Sequence, residues 1–495
     1  MGFHWIDYSI ICAYLAGVTY LGIRIAGTQK SINDYFLGSK TLPWWAVGFS
    51  VVASETSTLT FISVPGLAYQ GNMNFLQLAF GYFIGRCLVS TLFIPAYYEG
   101  KLETAYHFIG KRFGLALRQF TSSVFIITRI LSSGVRLFAS SIPLSLITGL
   151  DYSVSILLIA TFTLIYTYVG GLKAVVFMDV VQMFVYLGGA FVAMAIILNH
   201  LPGGWNDVLV FSTRPENNKF SIINTPNMTP FIDWLSSPYT FVGSILGGTF
   251  LTMASHGTDH LLVQRLLACR TVRDSQKALL LDAIVIVLQF TFFLILGLCL
   301  FTFYRGASFQ ELGLSSSDEI FPKFIVEHLP IGLAGLVIAG VLASAMGTLS
   351  SAINSLASSS YIDLIQFFNK AKPSSFNNPM RWSKILTLFW GLFLIGGALL
   401  FTKTQTPIIE VGLNIASVTY GGLLGIFFLG LFFRRPRQKD ASIGFIIGLL
   451  VMVLVLTWTN IDYTWHTLIG CIVTIWIGNV GPQLKRFKAL IGKRD

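Results

Sequence analysis

The sequence predicts an all-α, polytopic membrane protein, and three observations carry that reading. Hydrophobic residues make up 54% of the 495 positions and charged residues only 11%, against about a quarter charged in a typical soluble domain. The apolar residues fall in runs of about twenty, the length a helix needs to cross ~30 Å of hydrocarbon. The Lys and Arg residues between those runs collect on alternate sides. With spans drawn as below, 25 of them lie on one side and 5 on the other, and the remaining three lie inside spans.

Thirteen segments qualify as spans, at 6–27, 43–66, 74–98, 119–146, 152–170, 175–199, 239–262, 278–304, 331–360, 382–402, 407–433, 441–459 and 464–482. Gly and Pro inside several of them are tolerated where neighbouring helices re-satisfy the backbone. The positive-inside rule places the N-terminus outside and the C-terminus in the cytoplasm of an inner or plasma membrane. The net charge of +11 is therefore a topology signal and not a nucleic-acid footprint. The N-terminal MGFHWIDYS has no basic n-region and fails the myristoylation pattern at Ile6, so the first run reads as a retained span.

Other classes are disfavoured. Five cysteines, Cys12, Cys87, Cys269, Cys299 and Cys471, mostly within apolar runs, form neither a disulfide framework nor a metal motif. Asn227-Met228-Thr229 matches a glycosylation acceptor, a pattern common by chance. No nucleotide-binding loop is recognised, so uphill transport would draw on an ion gradient. No nucleophile–base constellation or metal cluster suggests an enzyme.

Ionisable groups inside spans are costly and are site candidates by default. Glu55, Arg86 and Arg129 each lie about 11–13 residues into their spans, close to the midplane at ~1.5 Å per residue. Arg136 is nearer the outer face, and Asp179 is about one turn from the cytoplasmic end of its span. Three charges at one depth suggest a shared polar cavity, or an ion pair of Glu55 with one arginine that leaves the other to hold an anion. Hydroxyls are concentrated at Ala53-Ser54-Glu55-Thr56-Ser57-Thr58-Leu59-Thr60 and at Ser344 to Ser355. Small hydroxylated residues also simply permit close helix packing. Ser344 with Thr348, and Thr348 with Ser351, share a helical face, and depth allows Asp179 to meet Ser350 and Ser351. A carboxylate among hydroxyls is a cation site. His256 and His260 have the spacing of a zinc pair but no evident third ligand, and a gate or packing role suits them better.

At these residues the chain resembles the sodium/solute symporter family, which contains sodium-coupled sugar, proline, iodide, vitamin, monocarboxylate and sialic acid transporters. The resemblance covers nearly the whole chain. It is carried by Trp44-Trp45-Ala46-Val47-Gly48 leading into Ala53–Thr60, by Gly170-Gly171-Leu172-Lys173-Ala174-Val175-Val176 before Asp179, by Val263-Gln264-Arg265, and by Thr348–Ser355. It implies a single membrane domain with an extra N-terminal helix (1–30), inverted five-helix repeats at 43–199 and 239–433, and two further helices at 441–482. The repeats would meet around broken helices, with Pro65-Gly66 and Gly247-Gly248 as the expected break points.

The resemblance also implies one or two sodium ions. The first site would use Ala53, Thr56, Ser344 and Thr348, with Gly347 standing where many members have serine; the second would use Asp179, Ser350 and Ser351. Substrate would be lined by Glu55, Ser57, Thr60 and Gln77, with Arg86 and Arg129 as candidate anion ligands. Ala79, Tyr82, Thr252 and Ser255 occupy positions where sugar transporters carry characteristic polar residues, which disfavours a sugar. The expectation is sodium-coupled symport of a small carboxylate or zwitterion by alternating access. Lipid surrounds the chain, and no obligate protein partner or nucleic acid is implied. A proton-coupled porter, a solute sensor and a passive channel stay open as alternatives.

Overall fold

The computed structural model describes residues 4–100, 102–225, 230–366, 378–401 and 408–491. The Asn227-Met228-Thr229 acceptor lies outside the described residues, as do Lys101, Lys370, Lys372, Lys403, Lys493 and Arg494 of the charge count. Among the described residues the regular structure is helical, apart from one isolated bridge between Leu42 and Cys269.

Helix α1 (Trp5–Ala26) starts at His4, and buried Asp7 fixes its entry. Asp7 Oδ1 accepts the backbone N–H groups of Gly332 and Gly335, each at 2.8 Å. A buried carboxylate thereby caps the start of a distant helix, where the macrodipole favours negative charge. Short α2 (Ile32–Leu37) carries a Ser31/Asp34 capping box. Then come α3 (Trp44–Glu55) and α4 (Thr58–Gln70), bent by 61° at Thr56-Ser57. Next are α5 (Leu76–Glu99), the short amphipathic α6 (Ala105–Phe113) and α7 (Leu115–Thr148).

Helix α8 runs from Tyr152 to His200 with a kink at Gly171. Its 49 residues amount to about 70 Å of helix, more than twice the hydrocarbon thickness, and the kink falls where the sequence predicts the boundary between two spans. The loop expected between 170 and 175 is reduced to this one residue. Gly171 has φ +55°, and a Cβ there would stand 2.4 Å from Tyr35 O. Only glycine lets α2 approach this closely.

The chain continues through α9 (Trp205–Ser212), α10 (Phe231–Ser236), α11 (Phe241–Gly257) and α12 (His260–Leu266). It then forms α13 (Val272–Phe303), α14 (Ile320–His328) and α15 (Leu333–Ser359). Four more helices follow, α16 (Pro379–Phe401), α17 (Ile408–Phe432), α18 (Gln438–Trp458) and α19 (Tyr463–Ile491). Among the described residues, helices lie along the predicted apolar segments. Eight of those described are individually long and apolar enough to cross a bilayer, or nine with the bent pair α3–α4.

Helix α15 is the centre of the bundle. Its most apolar stretch is 94% buried, against 28% for α1 and α18. It is buried on all faces, its serines and threonines included, whereas the peripheral helices turn residues such as Phe184, Leu288, Leu450 and Trp476 outward. Outward apolar faces are what lipid requires.

The breaks do not fall where Pro and Gly predicted them. Pro65 lies inside α4. A Cβ on Gly66 would meet Ser317 O at 2.4 Å, one on Gly247 Thr464 O at 2.2 Å, and one on Gly248 Leu78 O at 2.6 Å. These glycines serve close helix packing. The breaks are at Thr56-Ser57 and Thr258-Asp259, within hydroxyl and carboxyl residues that offer the backbone alternative partners.

Candidate functional site

Two broken helices form the site. Ser54 Oγ donates to Ser50 O at 2.6 Å and Thr56 Oγ1 to Val52 O at 2.8 Å. Thr56 and Ser57 then take extended backbone before α4 begins. A helix ending this way leaves its last carbonyls without an intrahelical partner. At the second break, Asp259 is the N-cap of α12 and accepts from Leu261 N at 2.9 Å.

Between the breaks lies a cavity of about 490 Å³, within the range of small-molecule sites. Glu55, Ser57 and Thr60 line it from α3 and α4, and Thr252 and Ser255 from α11. Phe75, Tyr82, Phe290, Tyr420 and Tyr463 give it aromatic walls. At one end it reaches Ser317 and Asp318 of the 305–330 loop. Burial pushes the Asp318 carboxyl up from the ordinary carboxylate range, against the opposing pull of the Ser63 hydroxyl.

The charged side chains sort into two clusters and one remainder. Fully buried Arg86 lies outside the cavity lining and donates to both Glu55 and Asp282. His256 Nε2 stands 3.6 Å from the Glu55 carboxylate and 3.5 Å from that of Asp282. Glu55, His256 and Asp282 together have the ligand spacing of a metal group, but the guanidinium among them already engages both carboxylates. Arg129 lines the cavity and donates to Asp259, whose same oxygen accepts from the Tyr420 hydroxyl at 2.7 Å. The remainder is Arg136, one step along α7. It lines the cavity and forms no ion pair among the described residues.

A small space of about 10 Å³ between Arg129, Ser133 and Arg136 on α7 and Ala345 and Thr348 on α15 joins this wall to the hydroxyl-rich helix. Such a volume suits about one water molecule.

These placements revise the expected roles. Arg86 and Arg129, the anion-ligand candidates, are both committed to carboxylates, and Arg136, half-buried on the cavity wall, is the guanidinium left without a carboxylate among the described residues. Gln77 is 1% exposed and outside the cavity lining. Its amide donates to Asn74 O at 3.1 Å and Tyr239 O at 3.0 Å, and accepts from Asn224 N at 3.2 Å. It holds a loop to a helix end. His256 and His260 belong to different helices across the Thr258-Asp259 break, so i, i+4 geometry does not apply to them. His260 Nε2 instead lies 3.2 Å from Ser358 Oγ.

The cation candidates lie beside the cavity, whose lining includes Ser54 and Thr56. Fully buried Asp179 accepts from Ser50 Oγ at 2.5 Å, Ser54 Oγ at 3.4 Å and Arg265 Nη2 at 3.1 Å, all on Oδ2. Its Oδ1 has no donor among the described residues. Ser351 Oγ contacts Ser54 Oγ at 3.0 Å and Gly347 O at 2.6 Å and also receives Arg265 Nη2. Ser350 Oγ donates to Gly347 O at 3.0 Å. Ser344 Oγ meets Thr58 Oγ1 at 3.1 Å, and Thr348 Oγ1 donates to Ala345 O at 2.9 Å. Thr56 Oγ1 accepts from Gln289 at 2.7 Å. Ala53, at the end of α3, points its carbonyl towards Gly347. Oxygen-rich and containing an unmatched carboxylate oxygen, this region suits a hard monovalent cation.

Sequence reasoning missed Asp259 and Asp282, although both fall inside predicted spans. The sequence placed Arg265 only in a motif and Asp179 only among hydroxyls, so their ion pair was not foreseen.

The profile of the sodium:solute symporter family matches residues 35–448. A sodium/sialic acid symporter of Proteus mirabilis is 27% identical over 487 residues, covering 97% of this chain and 96% of that protein. The human sodium/iodide cotransporter is 30% identical over 456 residues, covering 91% of this chain and 69% of that protein. A solved structure of a sodium-coupled sialic acid symporter, in a substrate-bound outward-open state, superposes with a TM-score of 0.86. It shares 26% identity and covers 97% of this chain and 98% of that one.

Proposed function

The chain belongs to the sodium:solute symporter family, and from that premise we propose that the solute it carries with sodium is a small organic carboxylate held by Arg136. The carrying observation is that Arg136 presents a guanidinium to the cavity without an ion pair among the described residues. A desolvated, unpaired arginine calls for an anion, and its fork suits a carboxylate. The hydroxyls of Ser57, Thr60, Thr252 and Ser255 would address further polar groups of the solute. The aromatic walls would cover its apolar faces. A hydroxylated sugar acid such as sialic acid has this chemistry, and two sialic acid symporters among the relatives support the choice. Glu55, neutralised by Arg86 but 23% exposed at its side chain, would tolerate an amino group, which keeps zwitterions as the second substrate class.

Thirteen crossings, in two inverted five-helix repeats (43–199 and 239–433) flanked by one helix before and two after, fit this reading. So does a topology with the N-terminus outside. In that frame the cavity mouth at Ser317 and Asp318 faces outward, and the Arg129–Asp259–Tyr420 cluster closes the inner side. Its three residues come from α7, the α11–α12 break and α17, so release inward requires them to part. The first sodium would be carried by Ala53, Thr56, Ser344 and Thr348, with Gly347 contributing at most its carbonyl. Asp179 with Ser350 and Ser351 would serve a second, in competition with the Arg265 guanidinium.

The test is a thermal-shift screen of the purified protein with carboxylates and their neutral amides, with and without sodium, because ligands of the folded state raise its stability. Carboxylates that stabilise the protein only with sodium, and fail on Arg136→Ala, are expected. Equal stabilisation by acids and amides contradicts the carboxylate reading.

A further inference from the structure

We infer that the solute site holds a proton of its own, carried on His256 as an imidazolium between the Glu55 and Asp282 carboxylates, and that a carboxylate solute binds tightly only while that proton is in place. The inference rests on the carboxylate reading above. Hydrogen-bond roles at the ring fix its charge. His256 Nδ1 lies 2.9 Å from Ser255 Oγ, whose one proton is directed at Thr252 O at 3.3 Å. Towards the ring that hydroxyl can only accept, so Nδ1 carries a hydrogen. Nε2 lies 3.6 Å from Glu55 Oε2 and 3.5 Å from Asp282 Oδ2, and has no hydrogen-bond partner nearer among the described residues. A bare lone pair there would face two carboxylates, whereas an N–H is attracted by both. Both nitrogens thus face acceptors, the arrangement of the charged ring.

Charge balance gives the same answer. Arg86, His256 and Asp282 are fully buried, and the single guanidinium of Arg86 on α5 is shared by Glu55 of α3 and Asp282 of α13. With a neutral ring the cluster would keep one negative charge uncompensated away from water, which is costly. A protonated ring closes the balance. The other charged groups around α11 are engaged elsewhere. Asp259 of α12 is held by Arg129 of α7 and Tyr420 of α17. Helix α19 meets α11 at Gly243 and Gly247, more than two turns from His256, and its Asp462 and His466 bond within their own segment. Tyr82 of α5 packs its ring on the Arg86 guanidinium.

Glu55 links this proton to the solute. Of the four clustered residues it alone lines the cavity. When the ring loses its proton, the cluster becomes net negative, and the cavity feels that charge through Glu55. The charge opposes a carboxylate held by Arg136, so raising the pH weakens carboxylate binding. By linkage, binding of a carboxylate strengthens the hold on the proton.

The full-length protein, purified in detergent with saturating sodium, is titrated calorimetrically with sialic acid and with its neutral amide from about pH 6 to about pH 9, around the range in which histidine changes charge. Sialic acid is expected to bind about tenfold more weakly per pH unit once the ring loses its proton, and the amide to show no such slope. His256→Gln, which keeps a hydrogen-bonding side chain but cannot carry the charge, should bind sialic acid about tenfold or more weakly near pH 6 and lose the pH dependence. Asp282→Asn in the same chain removes the surplus negative charge without touching the cavity. It should recover most of the loss, a rescue that a merely structural histidine does not predict. Asp282→Asn alone should keep tight binding up to about pH 9, and with the native profile it carries the test if His256→Gln does not fold. A flat native profile, native affinity in His256→Gln, no recovery in the double variant, or a native slope in Asp282→Asn overturns the assignment while leaving the carboxylate reading intact. Sialic acid that binds no better than its amide at any pH defeats that reading instead.

Discussion

Arg129 of α7 and Asp259, at the break between α11 and α12, form a buried ion pair whose carboxylate also receives the Tyr420 hydroxyl of α17. Both charged side chains are at most 5% exposed. Removing one partner from such a pair typically costs about 3–5 kcal/mol, because the other charge is left buried and alone. Asp259→Ala is therefore expected to lower the melting midpoint sharply. Replacing both residues with apolar ones of similar size should cost much less. If Asp259→Ala melts like the native protein, the inner cluster is not a closed gate.

Arg136 should behave in the opposite way. With no ion pair to break, Arg136→Ala is expected to leave the unliganded midpoint within a few degrees of native while weakening carboxylate binding about tenfold or more. A large loss of stability without ligand would reassign Arg136 to the scaffold, and selective loss at Arg129 instead would restore the original anion candidate.

Gly171→Ala tests the α8 kink. The substitution meets both a positive φ and a backbone oxygen at 2.4 Å, and strained backbone alone costs of order 1–3 kcal/mol. It should reduce folded yield severely. Gly188→Ala in the same helix, where a Cβ meets nothing within 4 Å, serves as the control and should be neutral or slightly stabilising.

Asp179→Ala is expected to weaken sodium dependence and lower its Hill coefficient in transport. The baseline midpoint will also fall, because Arg265 loses its carboxylate. Sodium kinetics identical to native would remove Asp179 from the cation sites.

Asp318 at the cavity mouth sets a pH dependence whose sign follows from its raised value. The folded state favours the neutral acid, so the cost of charging it is present above the raised pKa and disappears as pH falls to the ordinary carboxylate range. Stability should rise on acidification through that window. Asp318→Asn should raise the midpoint at neutral pH and remove that part of the rise, as thermal melts across a pH series would show.

Much of the architecture was legible because membrane helices announce themselves by length and apolarity. The breaks were not. Pro65 and Gly247 looked like breakers but serve packing, while the chain actually breaks at Thr56 and Thr258, where side-chain hydroxyls compensate the backbone. The ion pairs were hidden for a different reason. Arg129 and Asp259 are 130 residues apart, and only the break in the helix brings the carboxylate into reach. The depth of Arg129 was readable, but its partner, and hence its unavailability to substrate, was not.

The central claim is tested most directly by uptake into liposomes holding the purified protein, with a labelled sugar acid as solute and either a sodium or a proton gradient imposed. An inward sodium gradient is expected to drive accumulation above the external concentration, and a pH gradient without sodium to drive none. Accumulation that follows the proton gradient and ignores sodium would contradict the account, as would mere equilibration of the solute under either gradient.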